Sequence, residues 1–197
     1  MSDQGSGNWQ QPPAAPPPQF QSAPVTAGPA PGIVYADTIT RVIAYIIDSL
    51  IFFVVAVFIV GIIIVGIFTT GGGMAIVGTI LLAIIGLGGS AIYFIYTWTR
   101  MRASIGQRVL GLETVNAADG ATLTQDQAIR RWAFLFGPTA LGSVLGYAPG
   151  GLGVIGSLVG LLAFFYQIYL LYTVSQSAKR QGYHDVQAGT VVVKRVR

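Results

Sequence analysis

Arg41 and Asp48 stand seven residues apart in RVIAYIIDSLIFF, residues 41–53, an otherwise almost wholly apolar stretch. On a helix, Arg41, Tyr45, Asp48 and Phe52 recur at i, i+4, i+7 and i+11 and share one face. A rise of 1.5 Å per residue sets Asp48 about 10 Å beyond Arg41. Inserting a carboxyl group at such a depth in a membrane costs about 3 kcal/mol, so Asp48 must face protein and find partners. A buried carboxyl group that exchanges its proton near neutral pH is what a proton-coupled carrier needs. The competing role carries equal weight: a hydrogen-bonded Asp that fixes helix pairing. Arg41 leans toward the helix N-terminus, so it is expected to reach outward to headgroups and to Asp37, not inward to Asp48.

The second pair of chemical interest is His184–Asp185 in GYHDVQAG, residues 182–189. Adjacent His and Asp serve in metal hydrolases, which draw on further His and Asp ligands. His184 is the only histidine, and cysteine is absent. A multi-His metal site, disulfides and thiolate chemistry are thereby excluded within one chain. With no nucleophile–base pair in view, the chain reads as a non-enzyme without metal or cofactor. Asp185 is instead expected to cap or to pair with a basic loop residue such as Arg102 or Arg108. That would pin the C-terminal segment beneath the helices, with Val191 to Val193 pairing with strands of the central loop.

The elements that must position these residues follow from composition. Of 197 residues, 53% are hydrophobic and 9% charged, against about 25% charged in soluble domains. No charge occurs from Ser49 to Thr99 or from Trp132 to Ala178, runs that read as membrane spans. TTGGG at 69–73 and YAPGG at 147–151 break the runs at turns. The expectation is a four-span, all-α bundle of two hairpins, with spans at about 40–68, 74–98, 132–147 and 152–174. The third span is short and carries Gly137-Pro138, which predicts a kinked or re-entrant segment. All eleven Lys and Arg flank these spans: Arg41, then five between spans two and three, then five after span four. The positive-inside rule places both termini and the loop 99–131 in the cytoplasm of a multi-pass cell-membrane protein. The basic residues then report orientation and lipid headgroups, and no nucleic acid is required.

Depth matching brings Tyr93 and Gln167 to the level of Asp48. A buried cluster of Asp48, Gln167 and a tyrosine of the second span is therefore expected. In the loop, VLGLETV is β-prone, Asp119-Gly120 signals a hairpin, and ATLT returns. Thr124 and Gln127 form a capping box that opens a basic amphipathic helix running into the third span. Residues 1–32 hold eight of the ten prolines and one ionisable side chain, Asp3. They read as a disordered cytoplasmic tail without the features of a signal peptide, serving either as an inert extension or as a ligand for a protein partner anchored by Trp9. Residues 194–197 form a basic C-terminal tail. The pairs Gly142–Gly146, Gly156–Gly160 and Gly86–Ser90 permit close helix approach, within one bundle or in a homo-oligomer.

Three stretches, ADTITRVIAYIIDSLI, SIGQRVLGLETVNAADGATLT followed by Arg130-Arg131, and RQGYHDVQAGTVVV, together resemble the RDD family of bacterial membrane proteins, named for one Arg and two Asp. The resemblance covers about residues 35–193 and implies that the signature residues are Arg41, Asp48 and Asp185. The middle motif usually reads Thr-x-Gly-Lys; here Ser104, Gly106 and Gln107 occupy it, with Arg108 next. Some members resemble cation/proton antiporters, so the resemblance implies a fold more firmly than an activity.

Two functions follow as expectations. One is a small proton-coupled carrier, for cation/proton exchange or a small solute, with Asp48, Arg41 and Asp185 as coupling residues. Tyr45, Tyr93 and Gln167 would support them, and Ser104, Gly106, Arg108 and His184 would form a cytoplasmic motif. The other is a non-transporting adaptor, assembly factor or accessory subunit. A carrier should line a wet path with Asp48; an adaptor should bury it in a dry, satisfied cluster.

Overall fold

The computed structural model describes residues 28–70, 77–78, 81, 84–146 and 151–195. Trp9, most of the Pro-rich tail and most of the two predicted turns lie outside the described residues.

The chain opens with β1, Ile33–Tyr35, and turns into α1, Thr38–Thr70. Asp37 caps α1, its carboxylate accepting from the Thr40 N–H at 2.9 Å and from the Thr40 hydroxyl. A second helical run has α2, Ser90–Tyr96, at its centre. π-helical turns flank it at Ile85–Gly89 and Thr97–Met101, each widening the helix and shifting the faces beyond it. Arg102, at φ 60°, ends the run in a left-handed turn. Then come α3, Ile105–Val109, and β2, Leu112–Asn116. The long helices α4, Gln125–Gly146, and α5, Leu152–Gln176, form a hairpin. The chain closes with α6, Tyr183–Ala188, and β3, Thr190–Arg195.

Among the described residues, two helices are long and apolar enough to cross a membrane, over Thr38–Gly66 and Gly153–Gln176. Their apolar side chains face outward, Phe58 being 71% and Phe68 86% exposed. Water would not tolerate a continuous apolar surface of this kind, whereas lipid does. Helix α4 passes through Pro138 without ending, so Gly137-Pro138 does not terminate the helix. The glycines decide how α4 meets α5. A Cβ on Gly142 would lie 2.8 Å from the Gly160 amide nitrogen, and one on Gly156 would strike the Gly146 backbone. Both small-residue pairs are thus used in backbone-to-backbone packing inside one chain.

The chain is mostly helical but not all-α. A three-stranded antiparallel sheet has the order β1-β3-β2. The loop hairpin expected at Asp119-Gly120 does not form a ladder. Asn116 closes that turn, its N–H donating to the Ala121 carbonyl at 2.9 Å, while β2 pairs along its whole length with β3, Glu113 opposite Val193 and Val115 opposite Val191. The β-branched run Thr190–Val193 is buried and central, a better template than ATLT. β1 adds on the other side, Tyr35 opposite Val193. The sheet, α3 and α6 form a cap at the basic end of the long helices.

Candidate functional site

Asp48 is 3% exposed and lies where α1 meets the cap. Its carboxylate accepts three hydrogen bonds. Oδ1 takes the Tyr93 hydroxyl at 2.8 Å and the Gly106 N–H at 2.8 Å; Oδ2 takes the Ser104 hydroxyl at 2.5 Å. The donors come from local structure. Ser104 caps α3, its Oγ accepting the Gln107 N–H at 3.3 Å while its own N–H donates to Gln107 Oε1 at 3.0 Å. That box aims the first turn of α3, with its free N–H groups and positive dipole end, at the carboxylate. Gly106 permits the approach: a Cβ there would collide with the Ala44 carbonyl and come within 3.0 Å of Asp48 Cγ. Tyr93 completes the junction, accepting the Ile105 N–H at 2.9 Å while donating to Asp48.

A second junction surrounds Asp185, which is fully buried. Arg41 Nη1 donates to Oδ2 at 3.0 Å, and Arg131 Nη1 donates to Oδ1. The Gly182 N–H adds a bond to Oδ2 at 3.1 Å and the Thr190 hydroxyl one to Oδ1 at 3.3 Å. Arg41 Nη2 reaches the Val192 carbonyl at 2.9 Å, and the Arg131 guanidinium lies 5.0 Å from the centre of the Trp98 ring. One carboxylate thus ties α1 and α4 to α6 and β3. Removing one member of such a buried set leaves the others uncompensated, at about 3–5 kcal/mol. His184 lies alongside, its Nε2 3.6 Å from Asp185 Oδ1. Burial, and then the positive charges of Arg131 and Arg41, hold its pKa well below the ordinary histidine value, so the ring is neutral at pH 7. On the outer face of the sheet, Glu113 pairs with Arg102 at 2.9 Å and Arg195 at 2.5 Å. Burial raises its pKa, but the two arginines outweigh that and hold it below the usual carboxylate range.

A cavity of about 160 Å³ lies between the junctions, lined by Arg41, Asp48, Arg131, Gln167, His184 and mostly apolar side chains. A second, of about 380 Å³, is lined by Ser49, Ser90, Thr139 and Ser143 and shares Tyr45 and Phe94 with the first.

The RDD family model matches residues 35–189. The chain belongs to the RDD family. No curated protein and no solved structure matches it. Arg41, Asp48 and Asp185, the residues that the resemblance pointed to, lie at the seam between helices and cap, Asp48 and Asp185 buried and the Arg41 side chain 10% exposed.

Several expectations need correction. Arg41 pairs with Asp185, not with Asp37, which is occupied as a helix cap. Asp185 takes Arg41 and Arg131, not Arg102 or Arg108; Arg102 is held by Glu113, and Arg108 is exposed. Gln167 lines the cavity beside Asp48, but its amide donates to the Leu135 carbonyl at 2.7 Å. Tyr45 also lines the cavity, stacked on Phe136. Arg131 was not singled out. Its signal was the Arg130-Arg131 pair at the mouth of an apolar run, where one arginine faces solvent in an i,i+4 pair with Asp126 and the next turns inward.

Proposed function

We propose that this RDD-family chain is a multi-pass cell-membrane adaptor or accessory subunit, whose signature charges clasp a folded cytoplasmic cap onto four spanning helices. One observation carries this reading: the Asp48 carboxylate is saturated by Tyr93, Ser104 and Gly106, two of them from the docked loop. A coupling carboxylate must exchange its proton with solvent or solute, and Asp48 has both oxygens occupied at 3% exposure. The four spans would be α1, the run through α2, α4 and α5. The clustering of Arg and Lys at the cap end supports a cytoplasmic cap and cytoplasmic termini.

A second reading, a small carrier, draws on the two cavities. They share Tyr45 and Phe94, and Phe136 stacks on both, 6.1 Å from Tyr45 and 4.7 Å from Phe94 between ring centres. The carrier reading takes this aromatic contact as a plug between two mostly apolar spaces that each hold a few charged or hydroxyl groups. Liposomes with a trapped pH dye separate the readings. For an adaptor, sodium, potassium and lithium leave an imposed pH gradient intact. A gradient that collapses in the wild type and persists in Asp48→Asn overturns the adaptor and establishes exchange.

A further inference from the structure

The larger cavity, of about 380 Å³, lies between α1, the second helical run and α4. Its shape follows from where α1 and the second run meet. At the cap end Phe52 packs edge-on against Tyr93, ring centres 5.2 Å apart, one turn from the Asp48 junction. At the far end the Gly78 backbone lies against the Ile63 side chain, so closely that a Cβ on Gly78 would stand 2.5 Å from it. Asp48 to Ile63 and Tyr93 to Gly78 are equal intervals, 15 residues or about 22 Å of helix. Between these contacts the facing residues are small, Ala56 on α1 and Gly86 on the second run. Both are exposed. The cavity is thus bounded at each end and opens sideways.

Its lining decides what can enter. No charged side chain lines it among the described residues, and the surface is mostly apolar. The hydroxyl groups are nearly all spent. Ser90 Oγ donates to the Leu87 carbonyl and Ser143 Oγ to the Thr139 carbonyl, each at 2.9 Å, and Ser49 is hydrogen-bonded to Tyr45. That leaves Thr139, too little polarity to hold an ion, a polar solute or a file of water. The volume lies within the range of ligand sites, and the lining suits hydrocarbon. A Cβ on Gly86 would meet nothing within 4 Å, so the room beside the π-helical turn Ile85–Gly89 is not taken by protein. Hydrocarbon is also what surrounds the opening. Ala56 sits near the middle of α1, Thr38–Thr70, a helix long and apolar enough to cross a bilayer.

We propose that this cavity holds one hydrocarbon chain of a membrane phospholipid, entering sideways between α1 and the second run. The inference rests on the reading of the second run and α4 as spans, and not on the choice between adaptor and carrier. The test is native mass spectrometry of the full chain released from phosphatidylcholine nanodiscs. Wild type should retain one phosphatidylcholine per chain. Gly86→Leu fills the space from the second run and should lose that lipid. Ala56→Leu fills it from α1 and should lose it too, so the test survives if either variant fails to fold, as melting midpoints in discs will report. Gly88→Leu adds the same bulk to the same π-helical turn, where a Cβ also meets nothing, but Gly88 does not line the cavity; it should keep the lipid. The proposal is overturned if wild type retains no lipid or if the three variants behave alike. A wild-type dimer that the filling variants turn into a monomer overturns it as well, because the occupant is then a second copy of the chain. The spans are tested separately. The chain has no cysteine, so Gly88→Cys on the second run and Leu141→Cys on α4 give single sites, and a water-soluble maleimide should label neither in intact discs. Labelling refutes the spans and the proposal with them; no labelling and no retained lipid refutes the proposal alone.

Discussion

Replacing Asp48 in two ways measures what its carboxylate does. In Asp48→Asn, the amide oxygen can keep the place of Oδ1, facing the Tyr93 hydroxyl and the Gly106 N–H, while the NH₂ group faces Ser104 Oγ, which can accept. The Ser104 hydroxyl proton then loses its acceptor, and with the step from charged to neutral hydrogen bonds the cost is about 1–3 kcal/mol. Asp48→Leu leaves one N–H and two hydroxyls buried beside an alkyl group. At about 1–3 kcal/mol each, less what the hydroxyls recover by rotating to other acceptors, the loss is about 3–6 kcal/mol. Because two of the three donors, Ser104 and Gly106, sit in the capped first turn of α3, the damage should begin at the cap. Limited proteolysis should cut between residues 102 and 124 in Asp48→Leu well below the temperature at which wild type or Asp48→Asn is cut. Melting in nanodiscs should rank wild type, Asn, then Leu. Equal melting and equal protease resistance of Asp48→Leu and wild type would refute the clasp, since three orphaned donors cannot be free of cost.

Gly106→Ala should undock α3 by forcing Ala44 and Asp48 away, at about 1–3 kcal/mol, with the same cleavage between 102 and 124 at lower temperature. Asp185→Ala leaves Arg41 and Arg131 buried against each other and should cost about 3–5 kcal/mol, read as a lower melting midpoint and release of the C-terminal strand to carboxypeptidase. His184 supplies a pH test. Its folded pKa is depressed by burial and by Arg131 and Arg41, so the unfolded chain binds the proton more readily. Stability is therefore full above about pH 6.5 and falls as pH drops below it, by up to about 1.4 kcal/mol per pH unit. In His184→Gln that part of the acid slope should vanish from the melting curve. Glu113 adds a separate decline that begins as pH falls through the ordinary carboxylate pKa and ends below its lowered one, and Glu113→Gln should remove it alone.

What was legible in the sequence was whatever depends on neighbours along the chain. Long uncharged runs gave α1 and α5, because spanning length and apolarity are local sums. The Thr124–Gln127 capping box formed as its spacing predicts, Gln127 N–H donating to Thr124 Oγ1 at 3.2 Å. The seven-residue interval placed Asp48 at a depth where it had to find protein partners, and depth alone suggested Tyr93. Which charges meet was not legible. Arg41 is 144 residues from Asp185 and Arg131 is 54 residues from it. Arg102, Arg108, Arg130 and Arg131 all crowd one short region, and nothing in their spacing says which one turns inward. That choice belongs to tertiary structure: β3 enters between β1 and β2, which carries α6 and Asp185 beneath α1 and α4 and leaves Glu113 to hold Arg102 outside. The same closure decides the role of Asp48. Alone on its helix it is a carboxyl group in the wrong solvent; only the docked first turn of α3 supplies the backbone N–H and hydroxyl that make the depth tolerable.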